Sequence, residues 1–452
     1  MEDIKVVVEN LMELLAERKF AEIRKLLNDA NPVDVATVLG EVPEEKLLIL
    51  YRMLPKGEAA DVFSEMDPEE QETLIRAFNE REIKEVIEEM YIDDAVDLVE
   101  EMPAVVVNKI LRHAEPETRK QINELLKYPE DSAGSVMTTE YMSLKTDMTV
   151  ADAFERIRRT ADEKEDIYTC YVINPHRKLQ GTVSLKDMFL TSKDTLIGDL
   201  METNLISANT LDDQEAVAMT MAKYDLNTIP IVDKEGRLVG IVTIDDAIDV
   251  IQEENTEDFE KMAAVMPQDK SYFDTGVFQH VKNRLPWLLI LMISSMLTGT
   301  IIERYEIAFQ TMPLLVALMP MITGTCGNCG TQSSTLIIRG MALGEVRLSD
   351  YFKAVWKEIR VSIIVGISLA IVNMIRIYLQ YKDVKLAIVI ALTLIFCVVV
   401  AKLMGCSLPM LAKKLNLDPA IMASPMLSTL VDVSSVWIYF QIATIVIQKS
   451  TS

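Results

Sequence analysis

Hydropathy and charge divide the chain at Leu285, and this division limits what it can fold into more than any other feature. Beyond Leu285 lie five apolar stretches, about 286–302, 311–336, 355–379, 384–403 and 420–447. Each is long enough to cross a hydrocarbon layer as a helix. The part ahead of Leu285 is strongly acidic. Of the 45 Lys+Arg and 69 Asp+Glu in the 452 residues, 13 and 8 fall from Leu285 onward, leaving 32 and 61 ahead of it. The two parts carry +5 and −29, which calls for two environments: a lipid bilayer and water. So large an excess of carboxylates argues against nucleic acid and anionic lipid as partners of the soluble part, and it invites metal cations.

The opening, Met1-Glu-Asp-Ile-Lys, is acidic and amphipathic, unlike a secretory leader. The acidic part is therefore expected in the cytoplasm. Basic residues Arg347, Lys353, Lys357, Arg360, Lys413 and Lys414 would flank the spans on the same side, with Arg304, Lys382 and Lys385 opposite. Five spans then put the C-terminus outside a plasma or inner membrane. Cys326-Gly-Asn-Cys329 has metal or redox spacing, but it lies in an apolar segment, and no His follows His280 to complete a site.

Two internal repeats organise the soluble part. Val33-Asp-Val-Ala-Thr-Val-Leu-Gly-Glu-Val-Pro43, Ala60–Pro68 and Ala95–Pro103 share a pattern, and each Pro precedes a second helix-periodic stretch. Helix pairs of this kind fit a small superhelical stack or an ordinary bundle alike. Further on, Leu179-Gln-Gly-Thr-Val-Ser-Leu-Lys-Asp-Met188 matches Leu238-Val-Gly-Ile-Val-Thr-Ile-Asp-Asp-Ala247, and Cys170-Tyr-Val-Ile-Asn174 matches Ile229-Pro-Ile-Val-Asp233. A strand, a turn, a strand with Gly and then Ser/Thr-x-x-Asp opening a helix, twice over, resembles a tandem CBS pair. CBS pairs bind adenosine nucleotides between repeats, which makes ATP a ligand if the capacity is retained. Ser184 and Asp187 are the matching ribose-contacting positions, and both also suit simple helix capping.

Two stretches invite cations. The helix expected over 244–262 carries Asp245, Asp249, Glu253 and Glu257 four apart, with Asp246, Glu254 and Asp258 alongside. Like charges at that spacing repel by about 0.2–0.5 kcal/mol per pair. A solvated face or bridging divalent cations would relieve them. The last span contains Asp432, and a carboxylate at helix centre costs about 2.5–3.5 kcal/mol on insertion scales. No Lys or Arg lies between Lys414 and Lys449 to pair with it. Ala420, Ser424, Ser428 and Asp432 are four apart and form a small polar stripe, with Asp418 at its mouth. In the second span, 319–332 holds Pro320, Gly324, Gly327 and Gly330. It reads as an interrupted helix whose freed carbonyls line a cavity, with Asn328 and Gln332 on one face.

Together these residues resemble the MgtE family of magnesium transporters over essentially the whole chain, through Gly327-Asn328-x-Gly330-x-Gln332 and Asp418-Pro419-Ala420 followed by Pro425, Thr429 and Asp432. The resemblance implies a multidomain fold: an all-α N-terminal superhelical domain (1–128), an α/β tandem CBS pair (129–252), an acidic connecting helix with its linker (244–284) and an all-α five-helix transmembrane domain (285–452). It also implies a homodimer with one pore between the membrane domains, Asp432 holding hydrated Mg2+, and closure by Mg2+ bound to cytosolic acids. The matching acids are Asp94, Asp97, Asp225, Asp246, Asp249, Glu257 and Asp258. The competing readings are transport of another divalent cation such as cobalt or manganese, and a membrane-anchored CBS nucleotide sensor. No Ser/His/Asp, P-loop or Rossmann signature points to an enzyme.

Overall fold

Prolines and asparagine caps punctuate the first 128 residues into short helices. The computed structural model describes residues 2–55, 57–268, 272–273, 275–305, 313–422 and 424–448. Its first helices are α1 (Glu2–Ala16), α2 (Phe20–Asn28), α3 (Pro32–Gly40), α4 (Glu44–Tyr51), α5 (Ala59–Ser64), α6 (Pro68–Ala77), α7 (Glu80–Glu89), α8 (Ile92–Glu101), α9 (Ala104–His113) and α10 (Pro116–Leu125). Pro32, Pro68 and Pro116 occupy first helical positions, where a missing N–H costs nothing. Asn79 and Glu82 form a reciprocal capping box at α7. Alternate helices stack, α3 on α5, α5 on α7 and α7 on α9, which gives the superhelical arrangement.

The two CBS repeats build the same small sheet twice. In the first, β1 (Tyr141–Lys145) runs parallel to β2 (Asp166–Ile173), which pairs antiparallel with β3 (Leu179–Ser184). Helices α11 (Val150–Thr160), α12 (Leu185–Leu190) and α13 (Ile197–Leu200) complete it. In the second, β4 (Ala208–Asn209), β5 (Thr228–Val232) and β6 (Leu238–Thr243) repeat the order around α14 (Gln214–Tyr224) and lead into α15 (Ile244–Met262). The repeats are stitched reciprocally. Thr138 exchanges backbone hydrogen bonds with Ile241 at 2.9 Å, and Glu202 does the same with Thr182 at 2.9 and 3.0 Å. At the second seam a Cβ on Gly181 would stand 2.9 Å from the Glu202 carbonyl oxygen, so the glycine is required there.

The chain divides into two compact units, Met1–Ile251 and Gln252–Ser452. In the second, α16 (Val277–Arg304), α17 (Leu314–Ala342), α18 (Tyr351–Tyr381), α19 (Val384–Lys414) and α20 (Ser424–Gln448) follow. Among the described residues five helices are long and apolar enough to cross a membrane. The interruption expected over 319–332 is absent: α17 is unbroken, with Pro320 inside it. Gly327 and Gly330 serve packing instead. A Cβ on Gly330 would lie 3.3 Å from the Ala401 carbonyl oxygen of α19 and 3.4 Å from Val431 of α20. Small residues let spanning helices approach this closely, and the helix keeps its own hydrogen bonds.

Candidate functional site

The first unit gathers carboxylates from three separate segments. Asp93 enters from the first turn of α8, Glu165 from the residue ahead of β2, and Asp246 from the first turn of α15. One carboxylate oxygen from each lies within 4.8 Å of the others. Local structure explains their aim. Thr243 precedes α15, and its hydroxyl and N–H both donate to Asp246. The α8 entry is fixed by Glu140, whose carboxylate accepts the Ile92 N–H at 3.2 Å. Asp93 is 6% exposed. Among the described residues no ion pair involves Asp93, Asp94, Glu165 or Asp246.

The electrostatic consequence is uniform in sign. Burial, then the neighbouring carboxylates Glu165 and Asp246, hold Asp93 well above the usual carboxylate range. Burial and then Asp246 raise Glu165 likewise. Asp94 is pushed up to about 6 by burial and by Asp246, and Asp246 to about 6 by burial against the pull of Thr243. Asp97 is also raised by burial, then by Asp246 and Asp94, although its exposed surface lets water screen the effect. The donor set fits a hard divalent cation, which takes carboxylate oxygens. In addition, the buried Glu165 Oε2 has no hydrogen-bond partner. Asp93, Glu165 and Asp246 are the residues whose carboxylates converge closely enough to hold such an ion.

Other acids named from sequence stand elsewhere. Asp245, Asp249 and Glu253 are exposed on α15. Asp225 ends α14 in the left-handed region, φ 52°, as an exposed cap. Ser184 and Asp187 cap α12: the Ser184 hydroxyl donates to Asp187 Oδ2 at 2.6 Å and accepts the Asp187 N–H at 3.0 Å. Thr243 and Asp246 repeat this motif in the second CBS repeat, where the aspartate serves the acidic cluster instead.

In the second unit, Lys261 of α15 bridges Glu257 at 2.6 Å and Asp418 at 2.7 Å. Asp258 beside them is raised, by burial first and then by Asp418. Asp418 Oδ1 also accepts the Ala420 N–H at 2.8 Å, which starts a short turn that buries Ala420. Gly327 of α17 sits where a Cβ would be 3.6 Å from the Ser428 hydroxyl of α20, so the two helices meet there. Asn328 and Gln332 lie on an exposed face of α17. Asp432, one turn beyond Ser428, is half-buried and has no ion pair among the described residues. The Ser424 side chain lies outside the described part.

The family comparisons agree with this anatomy. The MgtE divalent cation transporter profile matches residues 319–442, the MgtE intracellular N domain profile residues 30–131, and the CBS domain profile residues 133–193 and 197–253. A magnesium transporter MgtE of Thermus thermophilus is 34% identical over 97% of this chain and 98% of its own length. The chain belongs to the MgtE family. A Bacillus subtilis MgtE is 33% identical over 95% of each chain. The solved cytosolic domain of the Mg2+ channel MgtE in complex with ATP is 35% identical, covering 54% of this chain and 99% of that one, with a TM-score of 0.51.

Sequence reasoning about this family member missed Asp93 and Glu165 in the cluster, and Glu140, which fixes the entry of α8 beside it. It also missed a buried ion pair, Glu358 with Lys402, inside the membrane unit. A signal existed for two of them. Asp93 precedes Asp94 in a helix whose apolar stripe needs position 93 buried, and Glu165 sits in a charged run immediately before a strand. For Lys402 the signal was plain but unused, because a cation stands inside a 31-residue apolar helix.

Proposed function

We propose that this MgtE family member conducts magnesium across the membrane along a path lined by Asp432 and Ser428 of α20 and by Asn328 and Gln332 of α17. The observation that carries the reading is Asp432: a carboxylate in a spanning helix, half-buried, with no cation paired to it among the described residues. An intramembrane acid of that kind marks an ion path. Magnesium dehydrates reluctantly, so a carboxylate suits it through its water shell. The exposed polar face of α17 supports a homodimer, in which a second copy across a two-fold axis turns Asp432 into a pair facing one aqueous path. The acidic part then lies in the cytoplasm and the C-terminus outside.

Closure follows from the same electrostatics. Magnesium on the cytoplasmic side binds among Asp93, Asp94, Asp97, Glu165 and Asp246, relieves their repulsion, and holds the N domain and CBS pair together. The state of α15 then governs the path, with Glu257, Asp258 and Asp418 as a second cation-sensitive group. ATP is a ligand proposed for the CBS pair at Ser184 and Asp187. The test is magnesium influx into liposomes carrying purified protein, wild type beside Asp432→Ala. Influx in the wild type alone supports the path. Equal influx in both would move it elsewhere, and influx of cobalt or manganese without magnesium would change the cargo.

A further inference from the structure

Three helices of the membrane unit are joined by a buried polar clasp. Ser333 of α17 donates to Glu358 Oε2 of α18 at 2.6 Å, and Lys402 Nζ of α19 donates to Ser333 Oγ at 3.1 Å. Lys402 Nζ lies 3.7 Å from the same Glu358 oxygen. The three residues are 0%, 9% and 4% exposed in the order Ser333, Glu358, Lys402. The helices are pressed together at this level. A Cβ on Gly405 of α19 would fall within contact of the Gly330 carbonyl oxygen and 3.1 Å from Ser333 Cβ. A contact made only for cohesion would be served as well by apolar side chains, which replace buried ion pairs without loss. A buried polar clasp of this kind can instead serve to fix register.

The register matters because of where Ser333 stands. It follows Gln332 by one residue, about 100° around the helix, and lies about 140° from Asn328. Ser333 faces the α18 and α19 side while Asn328 and Gln332 are exposed on the other. We propose that Glu358 and Lys402, acting through Ser333, are positioning residues that fix the rotation of α17 and so hold Asn328 and Gln332 toward the ion path. The inference rests on the pore reading above. Glu358 and Lys402 do not touch the ion. Each cancels the other's charge, and Ser333 transmits the pair's position to the pore helix.

The test is the double variant Glu358→Leu/Lys402→Met in liposomes, with its melting temperature, magnesium influx and influx ratio of magnesium to cobalt. The expected result is a protein that melts no lower than wild type but has about tenfold lower influx or an altered ratio, since a site about 1 Å too loose loses function before stability. A folded double variant with wild-type influx and ratio overturns the proposal, because a cohesive role would give that result. If the double variant does not fold, Ser333→Ala decides, since it keeps the charge pair and deletes the link: about a threefold loss or more is expected, and unchanged influx overturns the proposal. Wild-type protein and Asp432→Ala run alongside. No wild-type influx, or equal influx from Asp432→Ala, would remove the pore reading and this proposal with it, whereas a failure of the clasp alone leaves both controls intact.

Discussion

The two units treat buried charge in opposite ways. In the membrane unit the buried Glu358 has a buried countercharge, Lys402, whereas Asp418 only shares the partly exposed Lys261 with Glu257. Asp432 is left without such a partner among the described residues. In the soluble unit Asp93, Glu165 and Asp246 share one cluster, and among the described residues none is paired with a Lys or Arg. A carboxylate with a fixed countercharge is settled and holds structure. One without it is raised in pKa or waits for a mobile cation. On the function proposed above, the contrast would separate acids that hold structure from acids that handle the ion.

The contrast is broken most directly by the same chemical change at two acids. Asp432→Asn should cut magnesium influx about a hundredfold or more while leaving the melting temperature nearly unchanged, because no partner is orphaned. Glu358→Gln should destabilise the protein by about 3–5 kcal/mol, since it leaves Lys402 buried alone, and thermal unfolding in detergent would register it. If Asp432→Asn unfolds the protein and Glu358→Gln does not, the division between the two kinds of acid is wrong.

Asp246→Asn comes next in size. It should raise the magnesium needed on the face bearing the soluble unit to reduce influx by about tenfold, or about 1.4 kcal/mol of coupling, and should also stabilise the magnesium-free soluble unit against protease. Lys261→Met sharpens the comparison at the second unit. It turns Asp418 and Glu257 into unpaired acids, so thermal stabilisation by added magnesium should grow by about 1 kcal/mol or less, as befits a partly exposed pair. An unchanged magnesium response would show that the lysine does not compete with the ion.

The smallest effect expected is on pH. Asp94 and Asp246 sit at about 6 in the folded protein, above the unfolded carboxylate value. A raised acid binds its proton more tightly when folded. The associated stability is therefore fully present below about pH 4 and is lost as pH rises through about 6. Without magnesium, the soluble unit should melt a few degrees lower at pH 8 than at pH 5. Saturating magnesium should narrow the gap, and a gap of equal size with and without the ion would contradict the assignment of these acids to it.

Much of this was legible in the sequence. The break at Leu285, the doubled strand-turn-strand pattern and the lone Asp432 each depend on nearby residues, so local reading finds them. The motif Thr243-x-x-Asp246 was visible for the same reason. Asp93, Glu165 and Asp246 were not visible as a group, because tertiary packing alone brings together positions 72 and 81 residues apart. Glu358 and Lys402 sit on different helices and are likewise joined only by packing. The glycines of α17 were misread for a physical reason. In water they weaken a helix, but between packed spanning helices they permit the contacts made by Gly327 and Gly330. The acids of α15 read as one ladder but part into different surroundings along its length, Asp246 in the cluster and Glu257 against Lys261.

The central claim, that acids lacking a fixed countercharge handle the mobile cation, is tested most directly by one titration. Magnesium influx into liposomes would be followed while magnesium on the face bearing the soluble unit is raised, for the wild type and Asp93→Asn/Asp246→Asn. The account predicts that wild-type influx falls as the ion is raised and that the variant stays active at concentrations about tenfold higher. Wild-type influx that ignores magnesium on that face, or a variant that closes at the wild-type concentration, would contradict it.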